Sequence, residues 1–164
     1  MARRSFFSFH YIPDNSRAGQ VRNMGMVDGN KPVTDNDWEI VTTGGNAAIK
    51  KWITDQLKGR SCTIVLIGTN TAGRKWITHE ISESWNEGMG VVGVRIHNLK
   101  NLAGHQSSKG GNPFSFVKMG DGTKMSSVVK LYNPPSTVST TVYAQIERGL
   151  AEWVEEAVKI RGDY

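Results

Sequence analysis

Between Ser61 and Trp85 the chain reads SCTIVLIGTNTAGRKWITHEISESW, a strand, a short loop and a helix in immediate succession. Cys62 to Ile67 is an unbroken β-branched and aliphatic run closed by Gly68. That pattern fits a strand covered on both faces, as in parallel sheets. From about Lys75, the residues Trp76, Ile77, Ile81, Ser84 and Trp85 recur at helical spacing and mark one side of a helix. Glu80 falls inside that stripe, four residues after Trp76 and three after Ile77. It is either a solvated residue at the edge of the stripe or a partly buried acid facing a cleft. Open α/β sheets bind ligands outside the carboxyl ends of their strands, so the second alternative would make Glu80 functional.

The rest of the chain alternates in the same way. Ser5 to His10 reads as the first strand, with Tyr11-Ile12-Pro13-Asp14 as the loop at its carboxyl end, because Pro13 forbids simple continuation. A weak helix is expected from Ser16, as N-cap, to about Val27. Asp28 to Asp37 is polar and turn-like, and Trp38-Glu39-Ile40-Val41 suits a short edge strand. Asn46 to Leu57 is amphipathic, with Ile49, Trp52, Ile53 and Leu57 inward and Gly59 where a helix end favours it. Gly90 to His97 is a second buried strand, Ser127 to Tyr132 a last one, and Thr140 to Ile160 a long helix. Leu99 to Lys124 is long, polar and Gly-rich, the composition of a mobile flap beside the strand ends. Strands alternating with helices imply one α/β domain over residues 1–164, an open, mainly parallel sheet with helices on both faces.

Composition narrows the function. A net charge of +5 and a pI near 9.4 permit an anionic ligand. The basic residues are dispersed apart from Arg3-Arg4 and Lys50-Lys51, which reads as a solvated surface and not as a nucleic-acid footprint. Cys62, the one cysteine, lies in the predicted central strand and behaves as a buried small hydrophobe. His10, His79, His97 and His105 are too scattered to suggest a metal site, and no bound cofactor is expected. No stretch approaches the ~18 apolar residues of a membrane span and no signal peptide is evident, so a soluble, cytoplasmic protein is expected. No G-x-G-x-x-G follows the first strand, no P-loop is present, and the first strand lacks the paired aspartates of a receiver domain. A flavodoxin-like sheet with different site chemistry remains.

Three segments resemble the Toll/interleukin-1 receptor (TIR) domains, and among them the bacterial TIR-like family that includes the sensor subunit of Thoeris antiphage systems. Ser8-Phe9-His10-Tyr11 with Asp14 is similar to the first TIR box, an aromatic strand followed by an acidic loop. Ile64 to Glu80 is similar to the TIR strand, loop and helix whose W-x-x-x-E element, here Trp76 to Glu80, holds the glutamate of NAD⁺-cleaving members. The pieces AAIKKWI, GVRIHNLK and GNPF are similar to the Thoeris-type subfamily. The resemblance implies a flavodoxin-like fold and NAD⁺ as substrate, cleaved at the nicotinamide–ribose bond and often cyclised, with Glu80 as the catalytic residue. It also implies that Ser8, Phe9, His10, Tyr11, Asp14 and Trp76 serve the nucleotide site. Phe9 would supply a stacking face there, or is simply core. The amides of Gly68, Thr69, Asn70 and Thr71 would receive a phosphate, or form an ordinary turn. Further implied are TIR–TIR or homo-oligomeric assembly, a phage-derived trigger, and an effector reached through the nucleotide product. Two other classes stay open: a non-catalytic TIR scaffold, and a nucleoside-processing enzyme such as a deoxyribosyltransferase.

Overall fold

The computed structural model describes residues 2–31 and 40–164. Four strands, β1 (Ser5–Ser8), β2 (Cys62–Ile67), β3 (Gly90–Arg95) and β4 (Leu131–Tyr132), form one sheet in that order, every pair parallel. Helices α1 (Tyr11–Asn23), α2 (Gly45–Leu57), α3 (Lys75–Asn86) and α4 (Ser139–Gly162) connect and follow them. Every residue of β1, β2 and β3 is buried, which explains why their sequences lack a polar face.

Alternation along the strands separates two cores. Phe7, Cys62, Ile64, Leu66, Val92 and Val94 point to one side and pack against α1 and the stripe Val142, Ile146, Leu150, Val154, Ala157 of α4. Val65 and Ile67 point to the other side and meet Ile77 and Ile81 of α3, while Phe6 meets Ile49, Ile53 and Leu57 of α2. Helices therefore cover both faces.

The chain after α1 returns along the outer edge of β1. Ser5 N donates to Asp28 O at 2.8 Å, Asp28 N to Arg3 O at 2.9 Å, and Phe7 N to Asn30 Oδ1 at 2.9 Å. Arg4 and Asp28 pair in parallel. Counting that segment second gives the flavodoxin-like order 2-1-3-4-5, whose topological switch lies between β1 and β2.

Several boundaries differ from the sequence expectation. The first strand stops at Ser8, and Tyr11-Ile12-Pro13-Asp14 is the first turn of α1, not a loop. Pro13 is tolerated there because first-turn amides have no intrahelical acceptor. Ser16 sits inside the helix, and His10 is the N-cap. Ile40 and Val41 are helical and not strand, whereas Trp38 and Glu39 lie outside the described residues. Of the expected strand Ser127 to Tyr132 only Leu131–Tyr132 pairs, after a 3-10 turn over Met125–Ser127. The long segment after Leu99 packs back onto the sheet. A 3-10 turn, Pro113–Phe116, drives Phe114 fully into the core beside Gly93. Among the described residues, no helix is long and apolar enough to cross a membrane.

Two glycines test this packing in opposite directions. A Cβ at Gly90 would lie 2.7 Å from the α4 backbone at Ala157 and Val158. Gly90→Ala is expected to destabilise by about 1–3 kcal/mol, because backbone cannot yield as a side chain can. Gly19, in α1, has nothing within 4 Å of its Cβ position. Gly19→Ala is expected to stabilise by roughly 0.5–1 kcal/mol through helix propensity. Urea unfolding of both variants checks the pair, and equal effects would contradict the α4–β3 contact.

Candidate active site

Glu80 lies on the inward face of α3, flanked by buried Ile77, Ile81 and Ser84, and is 8% exposed. The helix is fastened to β2 directly beneath it. Ser84 Oγ donates to the Glu80 carbonyl at 2.6 Å and shares a 2.6 Å hydrogen bond with Thr63 Oγ1. One strand over, Ser8 points to the same face, and its Oγ donates to Glu80 Oε1 at 3.1 Å. Burial pushes the Glu80 carboxyl up to about 8, and the Ser8 hydrogen bond only partly opposes that. Near neutral pH the resting side chain is mostly the uncharged acid.

Above Glu80 a cleft of about 730 Å³ opens at the switch between β1 and β2. Phe9, His10 and Tyr11 enter it from the end of β1, Thr69 and Asn70 from the end of β2, and Trp76 and Glu80 from α3. The structure thus brings these seven sequence-predicted site residues to one place. Phe9 and Tyr11 stack at 6.2 Å between ring centroids. Burial and the nearby Arg74 hold His10 below its ordinary imidazole range.

Ser8, Asp14 and Gly68, the other residues expected to serve the nucleotide, are not among the residues that line the cleft and lie next to it. Ser8 acts on Glu80. Asp14 is 2% exposed and pairs with Arg17 at 3.1 Å. Its carboxylate presses on Gly68, where a Cβ would come within 2.1 Å of Asp14 Oδ2. The Gly68 amide already donates to Thr71 Oγ1 at 2.8 Å, so that turn leaves it no capacity for a phosphate.

Sequence reading missed Asn30, Trp52, Arg74 and Lys75, all of which line the cleft. Trp52 belongs to the inward stripe of α2, but only the fold shows that this stripe reaches the cleft. Arg74 is the N-cap of α3, and Lys75 Nζ lies 4.7 Å above the Trp76 ring. The first internal bond of α3 is Thr78 N to Arg74 O, so the amides before it face outward with partial positive charge. His79 packs edge-on against Trp76 and does not reach the cleft. Cys62 is fully buried in β2, its thiol pushed up to about 12 by burial. Among the described residues, no group of His, Cys, Asp or Glu is arranged to hold a metal ion.

A flavodoxin-like strand order, a cleft at the β1–β2 switch and a W-x-x-x-E helix with its glutamate turned inward define a TIR-like domain. Residues 6–101 match the family described as "Thoeris protein ThsB, TIR-like domain", and the chain belongs to that family. It is also 35% identical over 122 residues to a Bacillus cereus (strain MSX-D12) protein described as "Putative cyclic ADP-D-ribose synthase ThsB1". That match spans 71% of this chain and 64% of the relative's own length.

The raised Glu80 carboxyl predicts a pH-dependent stability. Between 4.5, its ordinary value, and about 8, the folded state keeps a proton that the unfolded state has lost. Stability therefore falls as pH rises through that window, by roughly 1.4 kcal/mol per pH unit for a single such group. Glu80→Gln removes this dependence. Its advantage over the wild type should be slight at pH 5 and reach a few kcal/mol near pH 8.5, read by urea unfolding at both pH values. A difference independent of pH would place Glu80 in an ordinary solvated setting.

Proposed function

We propose that this domain cleaves NAD⁺ at the nicotinamide–ribose bond and closes the ADP-ribose into a cyclic signalling nucleotide in antiphage defence. The observation that carries the reading is Glu80: an acid buried at the floor of a cleft with an aromatic wall and a basic rim. The relative's printed name supports the same class of product.

The pyridinium of NAD⁺ brings a positive charge to an acid poised near neutrality. Opposite charge at close range favours the carboxylate, so substrate binding ionises Glu80 and releases its proton. The bond from C1′ to the ring nitrogen then breaks, and its electron pair leaves with neutral nicotinamide. The ribose is left oxocarbenium-like, and the Glu80 carboxylate stabilises the charge that develops at C1′. It also fixes the sugar by accepting from the ribose hydroxyls. A hydroxyl of the distal ribose forms the new bond to C1′, and its proton passes to the Glu80 carboxylate and restores the uncharged acid, so that the one proton released per turnover is the one lost on substrate binding. Water in the same place gives linear ADP-ribose.

The chain's other residues divide the remaining tasks. Arg74, Lys75 and the outward amides of α3 suit the pyrophosphate. Phe9, Tyr11, Trp52 and Trp76 offer ring faces to the two bases. In the cell, this reading places a phage-derived trigger upstream, TIR–TIR or homo-oligomeric assembly as the working state, and a nucleotide-sensing effector downstream, all in the cytoplasm.

The protein is to be incubated with NAD⁺, alone and with lysate of phage-infected cells, and the products read by mass spectrometry. Nicotinamide and an ADP-ribose product are expected, and Glu80→Gln should lose about two to three orders of magnitude in turnover while remaining folded. Wild-type turnover in folded Glu80→Gln would remove Glu80 from catalysis. No product under either condition would favour a scaffold.

A further inference from the structure

The loop between β2 and α3 supplies Thr69, Asn70, Ala72, Gly73 and Arg74 to the cleft, yet it contains no regular structure of its own. Something must hold it. From below, Asp14 supports Gly68, and Arg17 fixes Asp14 while also donating to Leu99 O at 2.8 Å and His105 O at 2.9 Å. From the side, residues 107–111 cross the end of β2 as a strap. Ser107 N donates to His97 O at 2.8 Å, and Thr69 Oγ1 donates to Ser108 O.

The strap approaches so closely because Gly110 has no side chain. A Cβ there would fall 2.3 Å from Gly68 O and 2.5 Å from Thr69 O, both backbone atoms. Arg95, the last residue of β3, is 7% exposed and donates through Nη1 to Gly110 O at 2.6 Å. The next residue, Gly111, lines the cleft, and its Cβ position lies 3.3 Å from Ala72. A rigid strand end is thus wired through one carbonyl to a wall of the cleft.

We propose that Arg95 is a positioning residue: by holding Gly110 against Gly68 and Thr69 it closes the side wall of the cleft and keeps water from the ribosyl cation. The inference rests on the NAD⁺-cleaving reading above. Once the bond to nicotinamide breaks, C1′ accepts either the distal ribose hydroxyl or water, each losing one proton. A wall that excludes water and confines the dinucleotide favours the first acceptor. Arg95 therefore sets the ratio of cyclic to linear product and not the cleavage step itself.

The test compares wild type with Arg95→Gln, Arg95→Lys, Gly110→Ala and, as a control, Gly120→Ala, where nothing lies within 4 Å of the Cβ position. Gly110→Ala loosens the strap by steric contact without altering charge, so it repeats the experiment if Arg95→Gln folds poorly. Product ratios from NAD⁺ are read by chromatography with mass spectrometry. Deuterium uptake by residues 69–73 is read on the same proteins without substrate. In Arg95→Gln and Gly110→Ala the cyclic-to-linear ratio should fall roughly tenfold while total NAD⁺ consumption falls much less. Uptake at residues 69–73 should rise, that of β2 should stay unchanged, Arg95→Lys should recover most of the ratio, and Gly120→Ala should match wild type. An unchanged ratio in folded Arg95→Gln and Gly110→Ala overturns the proposal. If the wild type makes no product at all, the NAD⁺ reading fails on its own. Positioning by Arg95 then stands or falls on whether uptake at residues 69–73 rises.

Discussion

The Glu80 carboxyl accepts a hydrogen bond from Ser8 and is buried on the helix face that carries Ile77, Ile81 and Ser84. Keeping an acid there costs stability above its ordinary titration range, and the surrounding structure compensates by gripping α3 tightly. Ile77 and Ile81 fill the space over Val65 and Ile67, and the Thr63–Ser84 pair hydrogen-bonds the helix to β2 at the level of Glu80 itself. A looser helix would let the carboxyl turn toward water and lose its raised pKa. Sheet packing and site chemistry are thus one arrangement, seen from below and from above.

Strand order provides the opening. Because the chain after α1 lies outside β1, the connections leaving β1 and β2 diverge to opposite faces of the sheet, and their carboxyl ends are left uncovered between them. The cleft fills that gap. Its charges are graded, with Arg74, Lys75 and the outward amides of α3 at the rim and a masked acid at the floor. Such a grading suits a ligand with a cationic ring at one end and phosphates in the middle. NAD⁺ has that form.

Much of this was legible in the sequence. The buried strands β2 and β3 announced themselves as continuous apolar runs, α2 and α4 by their stripes, and Glu80 by its place within the Trp76–Ile77–Ile81 face. The start of α1 was not legible, because Pro13 reads equally as a strand breaker and as a first-turn helical residue. Asp14 looked like a site acid, and only the fold shows Arg17 neutralising it and Gly68 lying against it. Trp52 and Asn30 were missed for a related reason. Each obeys its local pattern, and what sets it apart is the distant segment it meets. Phe114 shows the converse: its burial, with the hydrogen bonds to Ser107, Ser108 and Gly110, ties down a polar, Gly-rich stretch whose composition suggested a flap.

The most direct measurement is the titration of the Glu80 side-chain carboxyl by carbon NMR on glutamate-labelled protein, with Glu80→Gln supplying the assignment. In the free protein the resonance should titrate near 8. With a non-cleavable NAD⁺ analogue bound, the midpoint should move down, because the pyridinium favours the carboxylate. A midpoint in the free protein near the ordinary 4.5, unmoved by the analogue, would contradict the buried, substrate-ionised acid on which the proposed chemistry depends.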